Sequence, residues 1–286
     1  TASRALAELK GKANEIPNQL MLVNAITLQE AKDSSEIENI FTNQDELYQA
    51  FSAKTNTFDA QTREVLRYRQ ALLEGYQQLN ERPLSTNLFI SIAETIKESQ
   101  MGIRRIPGTT ISNNNKVVYT PPEGEELIRN LLHNLEDYIH STDSTDDLIK
   151  LAVQHYQFEA IHPFYDGNGR TGRVINILYL VEKGLLDTPI LYLSKYIIEN
   201  KSDYYKLLRN VTENSAWEEW ILFILSGIEK TAHSTLNKIE KIHALMNETI
   251  ARAKNVLPTR VYSNELIELL FEQPYCKVKF LVDRGI

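Results

Sequence analysis

The sequence is poor in four things, and each absence removes a class of protein. It has one cysteine, Cys276, in 286 residues, so no disulfide can close within the chain, which suits a reducing compartment. Flanked by Tyr275, Val278 and Phe280, that thiol reads as a small apolar group for burial rather than a nucleophile. Long apolar runs are missing. The longest candidate, Val174 to Val181, falls far short of the roughly 20 residues that a membrane span needs, and it reads as part of a core helix. The N-terminus has no basic-then-apolar leader pattern, so a soluble cytoplasmic protein is expected. An excess of basic residues is missing too. The formal net charge of -7 argues against a protein whose task is to coat nucleic acid, and DNA binding is not expected of this chain.

What is present is apolar side chain, 42% of the sequence, enough to bury one or two domains and an appendage. The chain starts at Thr1 and stops at Arg284-Gly285-Ile286 in mid-pattern, so both ends are expected to be trimmed.

Helical spacing dominates. Leu6, Leu9 and Leu20 to Val23 open the chain, and Thr27 with Glu30 predicts a capping box for a helix carrying Ala31, Ile37 and Ile40. Further helices are predicted from Asp45, over about 59–79, from a cap at Thr86 to Ile96, over 125–139, and from Ser144 to about Ala160 with Asp147 as capping partner. One stretch breaks the pattern. Ile106, Thr109, Ile111, Val117, Val118 and Tyr119 flank Ser112-Asn113-Asn114-Asn115-Lys116, which predicts a hairpin with an asparagine-rich turn. Helices resume over about 168–183, 202–211, 216–228 and 231–253. Pro258 marks a linker, and two short helices fill 263–286.

The chemistry is concentrated in His162-Pro-Phe-Tyr-Asp-Gly-Asn-Gly-Arg-Thr-Gly-Arg173. Gly167 to Gly172 is a literal G-x-G-x-x-G, and Val174 extends it to the kinase form. Context rejects both look-alikes. A dinucleotide fingerprint follows a strand, whereas 148–161 has helical spacing, and the partner motifs of a kinase are absent. The segment instead predicts a loop feeding the N-terminus of a helix, where unpaired amides and the positive dipole end attract an anion. Arg170 and Arg173 are three apart and share a face, with planar forks suited to phosphate. Asp166 is a candidate Mg²⁺ carboxylate, and His162 a candidate proton acceptor.

These residues resemble the signature of the Fic (Fido) family of protein adenylyltransferases, His-Pro-Phe-x-[Asp/Glu]-Gly-Asn-Gly-Arg-x-x-Arg, at every specified position. The hairpin ending in Pro121-Pro122, the stretch Leu191-Tyr192-Leu193-Ser194, Tyr204-Tyr205 and Trp217-Glu218-Glu219-Trp220 also resemble members. The resemblance implies a mainly α, Fic-fold helical bundle with one β-hairpin flap. It implies transfer of AMP from ATP, with Mg²⁺, to a hydroxyl of a protein target docked on the hairpin 105–119. His162 would take the hydroxyl proton and Asp166 the Mg²⁺. Asn168 with the Gly167 and Gly169 amides would form an anion hole, and Arg170 and Arg173 would neutralise the β- and γ-phosphates. Tyr204 and Tyr205 would border the adenine, although core packing accounts equally well for either.

A second segment, Ser34-Ser35-Glu36-Ile37-Glu38-Asn39, resembles the family's inhibitory motif, [Ser/Thr]-x-x-x-Glu-[Gly/Asn]. Ser34, Glu38 and Asn39 fall at the fixed positions, which implies that Glu38 pairs with Arg173 and holds the enzyme off. Read by itself, the stretch is more simply a solvated acidic helix. The expected organisation is an N-terminal helical region with the inhibitory motif (1–85), a catalytic core (86–230), and a C-terminal helix with a truncated winged-helix-like module (231–286). Two alternatives share these residues. One is a Fic-like enzyme that moves another phosphate-linked group or removes AMP. The other is a winged-helix transcriptional regulator with a Fic-like sensor core. Homo-oligomerisation stays open.

Overall fold

A computed structural model gives the fold, and it describes residues 1–16, 19–53, 58–113, 116–273, 275–283 and 285. The N-terminal helices are α1 (Ala2–Asn14), α2 (Gln19–Ile37), α3 (Gln44–Ala53), α4 (Ala60–Gln78) and α5 (Thr86–Lys97). Strands β1 (Ile111–Asn113) and β2 (Lys116–Tyr119) follow. Then come α6 (Glu125–His140), α7 (Asp147–Ile161), α8 (Asn168–Glu182), α9 (Leu193–Glu199), α10 (Lys201–Asn214), α11 (Trp217–Val256), α12 (Asn264–Glu272) and α13 (Val278–Asp283). The protein is therefore mainly α, with one antiparallel strand pair among the described residues, in which Ile111 faces Tyr119 and Ser112 faces Val117. Asn114 and Asn115, the predicted turn, lie outside the described residues. Among the described residues no helix is long and apolar enough to cross a membrane.

α8 is the hub. Val174, Ile175, Ile177, Leu178, Tyr179 and Leu180 are all within 1% of full burial. A helix apolar on every side belongs inside a bundle, and α4, α5 and α7 pack around this one while α2 reaches it from the N-terminal side. The first turn of α8 thus emerges from a helix buried within the bundle. α11 backs α7 and α9 and carries α1 along its far side. Trp220 of α11 is fully buried and donates from Nε1 to Ala152 O at 2.7 Å.

Tertiary contacts override several local signals. Thr27 and Glu30 form no capping box, because α2 begins eight residues earlier, at Gln19. Thr27 Oγ1 donates to Val23 O at 2.6 Å, and Glu30 is buried. The start of α5 is held by a neighbour, since Glu136 of α6 accepts from both Thr86 N and Thr86 Oγ1. Asp146, not Asp147, caps α7 by accepting from Leu148 N at 2.9 Å. The two helices expected over 216–253 are a single α11. Cys276 is half-exposed rather than buried.

Candidate active site

His162 closes α7 in a left-handed conformation, φ 49° and ψ 59°. A non-glycine residue holds that conformation only when its surroundings fix it, and here they do. His162 N donates to Phe158 O at 3.0 Å, while Arg104 Nε donates to His162 O at 2.7 Å. The loop beyond is tied by Asn168, whose Oδ1 accepts from Phe164 N and whose Nδ2 donates to Phe164 O, each at 2.8 Å. The Phe164 ring is 1% exposed and anchors the loop from beneath. The Asn168 side chain thus shapes the loop, and its amide keeps a second N–H beyond the one given to Phe164 O.

α8 starts at this loop. Its N-cap, Gly167, has φ 81°, a region that favours glycine. Gly167 N donates to Asp166 Oδ1 at 2.6 Å. The first amides of α8 have no partner within the helix and form its positive end, a ready anion site. Gly169, in the first turn, leaves room for a visitor: a Cβ there would collide with Glu38 Oε1.

Three cations surround that turn, each neutralised by a carboxylate. Arg170 Nη1 meets Glu64 Oε1 at 2.6 Å, and Lys97 Nζ bridges Glu64 Oε1 at 2.8 Å and Asp166 Oδ2 at 2.6 Å. Arg173 is gripped by the end of α2: Nε donates to Ser34 Oγ at 2.8 Å, and Nη2 donates to Ser34 O and Glu38 Oε1, both at 2.9 Å. Burial opposes the charge of Arg173, yet Glu38, with Tyr204 and Glu159, holds the guanidinium above its ordinary value. The structure therefore brings together His162, Asp166, Gly167, Gly169, Arg170, Arg173, Ser34 and Glu38.

The end of α2 also explains Asn39. Ile40 N donates to Ser35 O, Asn39 N to Glu36 O, and Asn39 has φ 61°. This is a Schellman C-cap with its left-handed residue at Asn39, the position that glycine or asparagine fills most readily. The motif's last residue therefore serves the chain reversal that leaves Glu38, at the C-cap, pointing into α8.

Electrostatics give the remaining groups distinct states. Burial pushes the His162 imidazole down to about 4, Arg104 adds to this, and the Glu159 carbonyl, Glu38 and Asp166 oppose it. Glu159, half-buried, is raised by burial to about 7 against the pull of Arg173. For Asp166, burial favours the neutral acid, but Lys97, Arg170 and the Gly167 amide outweigh it and lower the carboxyl below its usual range. Tyr204 sits in the core, 1% exposed, with its hydroxyl against His155 Nε2 at 2.9 Å. Tyr205 keeps an exposed edge, 44%. Of the two, only Tyr205 presents a ring for a ligand to lie against.

Among the described residues no group of three or more His, Cys, Asp or Glu could hold a metal by itself. Asp166 alone, ionised and 60% exposed, matches the needs of Mg²⁺, which binds through one or two carboxylates plus phosphate oxygens and water. The donor set thus fits an ion arriving with a nucleotide. Sequence alone missed Glu64, Lys97 and Arg104, which lie far from the motif in the chain and belong to no recognisable spacing.

The comparisons agree with this geometry. The family model "Fic/DOC family N-terminal" matches residues 1–77, and "Fic/DOC family" matches 83–180. A third, "Protein adenylyltransferase SoFic-like, C-terminal domain", matches 245–286. The chain belongs to the Fic/DOC family. A probable protein adenylyltransferase of Aquifex aeolicus is 28% identical over 165 residues, covering 57% of this chain and 47% of the relative. The protein adenylyltransferase Fic of Drosophila willistoni is 28% identical over 214 residues, 65% of this chain and 40% of the relative. The chain thus spans less than half the length of these relatives. A Fic family protein from Desulfovibrio desulfuricans superposes with a TM-score of 0.68 at 20% identity, covering 87% of this chain and 78% of that one. A Fic domain containing signaling protein from Bacteroides thetaiotaomicron gives 0.67 at 16%, covering 84% and 97%. The fold is shared.

Proposed function

We propose that this protein is an adenylyltransferase that moves AMP from ATP to a side-chain hydroxyl of a protein target and is held off by Ser34, Glu38 and Asn39. The observation that carries the reading is a neutral, half-buried imidazole beside a helix N-terminus and two arginines. His162 accepts the proton as the target oxygen attacks the α-phosphorus. The new O–P bond forms, the bond to the bridging oxygen breaks, and pyrophosphate leaves. The α8 amides and Arg170 stabilise charge on the phosphates, positioning and electrostatics supplying most of the barrier reduction. Bound with ATP at Asp166, Mg²⁺ would supply charge neutralisation on the phosphates. The hairpin 105–119 docks the target through main-chain pairing.

Regulation follows from the same contacts. The Arg173 guanidinium cannot serve a terminal phosphate while its forks face Ser34 and Glu38. A 99:1 bias toward that closed arrangement needs only about 2.7 kcal/mol, half of the swing between opposite extremes. A soluble cytoplasmic setting suits an ATP-using enzyme with a single thiol.

The test of the catalytic assignment uses His162→Ala in a Glu38→Gly background. Isothermal titration with ATP and Mg²⁺ is expected to give an affinity within a few-fold of the parent, while transfer of label from ATP to protein disappears. Retained transfer would remove His162 from its role.

A further inference from the structure

We infer that Arg104 is a positioning residue that fixes the backbone of His162 and joins it to both stems of the hairpin. The inference rests on the adenylyl-transfer reading for its kinetic consequence, but its structural content stands on the contacts.

Arg104 is 1% exposed and lies just before the hairpin. Its backbone N donates to Pro163 O at 3.0 Å. Its Nε donates to His162 O at 2.7 Å, and its Nη2 donates to Ile161 O at 3.3 Å and to Pro122 O. One planar guanidinium therefore spans the end of α7, the strained turn at His162, and the far stem of the hairpin. Nearby contacts repeat the pattern. Tyr165 Oη accepts from Arg105 N at 2.8 Å and Ile106 N at 3.0 Å, and Tyr119 Oη on β2 donates to Ala160 O at 2.9 Å. Each clasp links the hairpin to the segment between Ala160 and Tyr165.

The left-handed turn at His162 is costly for a residue with a side chain, and its carbonyl needs a donor once the helix has ended. Arg104 supplies that donor from the same segment that begins the target-docking surface. A shift of the hairpin is thereby transmitted to the position of the imidazole. The guanidinium touches no residue assigned to the nucleotide, so its effect belongs to the hydroxyl side of the reaction. The charged and titratable groups facing this pair are Glu123, Tyr119 and Tyr165 around Arg104, and Glu38 and Asp166 around His162.

The test compares Arg104→Gln and Arg104→Lys in the Glu38→Gly background, with thermal melts to confirm folding. Arg104→Gln is expected to lower kcat for protein modification by about 10²-fold, the scale of a misplaced catalytic group, with KM for ATP within about two-fold. Arg104→Lys, which keeps one donor and the charge, is expected to recover part of that loss. An unchanged kcat, or a matching rise in KM for ATP, would overturn the assignment. Hydrogen exchange needs no activity: amides of residues 104–106, 162, 164 and 165 are expected to exchange faster in Arg104→Gln, while α11 is unaffected. Faster exchange there alongside an inactive Glu38→Gly parent would support the clasp and sink the transferase reading. Unchanged exchange would overturn the clasp itself.

Discussion

The imidazole of His162 is kept neutral because burial penalises its charged form and Arg104 stands close by, holding it down to about 4. A proton acceptor must be unprotonated. With His162 in the proposed role, transfer is expected to persist as pH falls through the ordinary histidine range and to be lost as pH falls through about 4. In Glu38→Gly the limb moves no higher, because the removed carboxylate is one of the groups that raise this imidazole. The acid limb of kcat/KM, which reports the free enzyme, is expected well below 6.5, and a limb near 6.5 would contradict the buried geometry. At this scale the sequence was legible where chemistry is packed into one short segment. Arg104, Glu64 and Lys97 were not legible, because their meaning comes from partners 58, 106 and 69 positions away, which only folding brings together.

Among the elements, α2 matters most, and its decisive part is its last turn. Ser34 and Glu38 grip Arg173 only because the chain reverses at Asn39 in a left-handed cap. Asn39→Val places a β-branched side chain where such residues are strained by about 1–2 kcal/mol, a factor on the order of 5 to 30 in a local equilibrium. Loosening the cap is expected to raise transfer above wild type by up to that factor, whereas Asn39→Gly leaves it unchanged. Equal activity of the valine variant and wild type, measured with labelled ATP, would show that the cap does not hold Glu38. Helix existence was legible from periodicity, but helix ends were less so. Thr27 and Glu30 carry the spacing of a capping box and lie inside α2 because apolar residues from Met21 to Ile26 bury against neighbouring helices. Thr86 was expected to provide a cap and instead takes one from Glu136. Local signals propose such termini, and packing decides among them.

At the scale of the molecule, the proposed inhibition would depend on how firmly α2 is seated. Glu30 accepts from Ser194 N at 3.0 Å, from Ser194 Oγ, and from Tyr68 Oη at 3.1 Å, tying α2 to α9 and α4. Asp33 accepts from Tyr192 Oη, adding a second tie near α9. α8 is buried at the centre of the bundle and α2 is fastened to α4 and α9, which seats Glu38 against Arg173. The central claim is that this contact, and no missing catalytic part, limits the wild-type protein. The rate of AMP transfer from labelled ATP, read by mass spectrometry for wild type and Glu38→Gly side by side, tests it most directly. The account predicts that Glu38→Gly transfers at least about tenfold faster, self-modification included. Equal or slower transfer in that variant would contradict it.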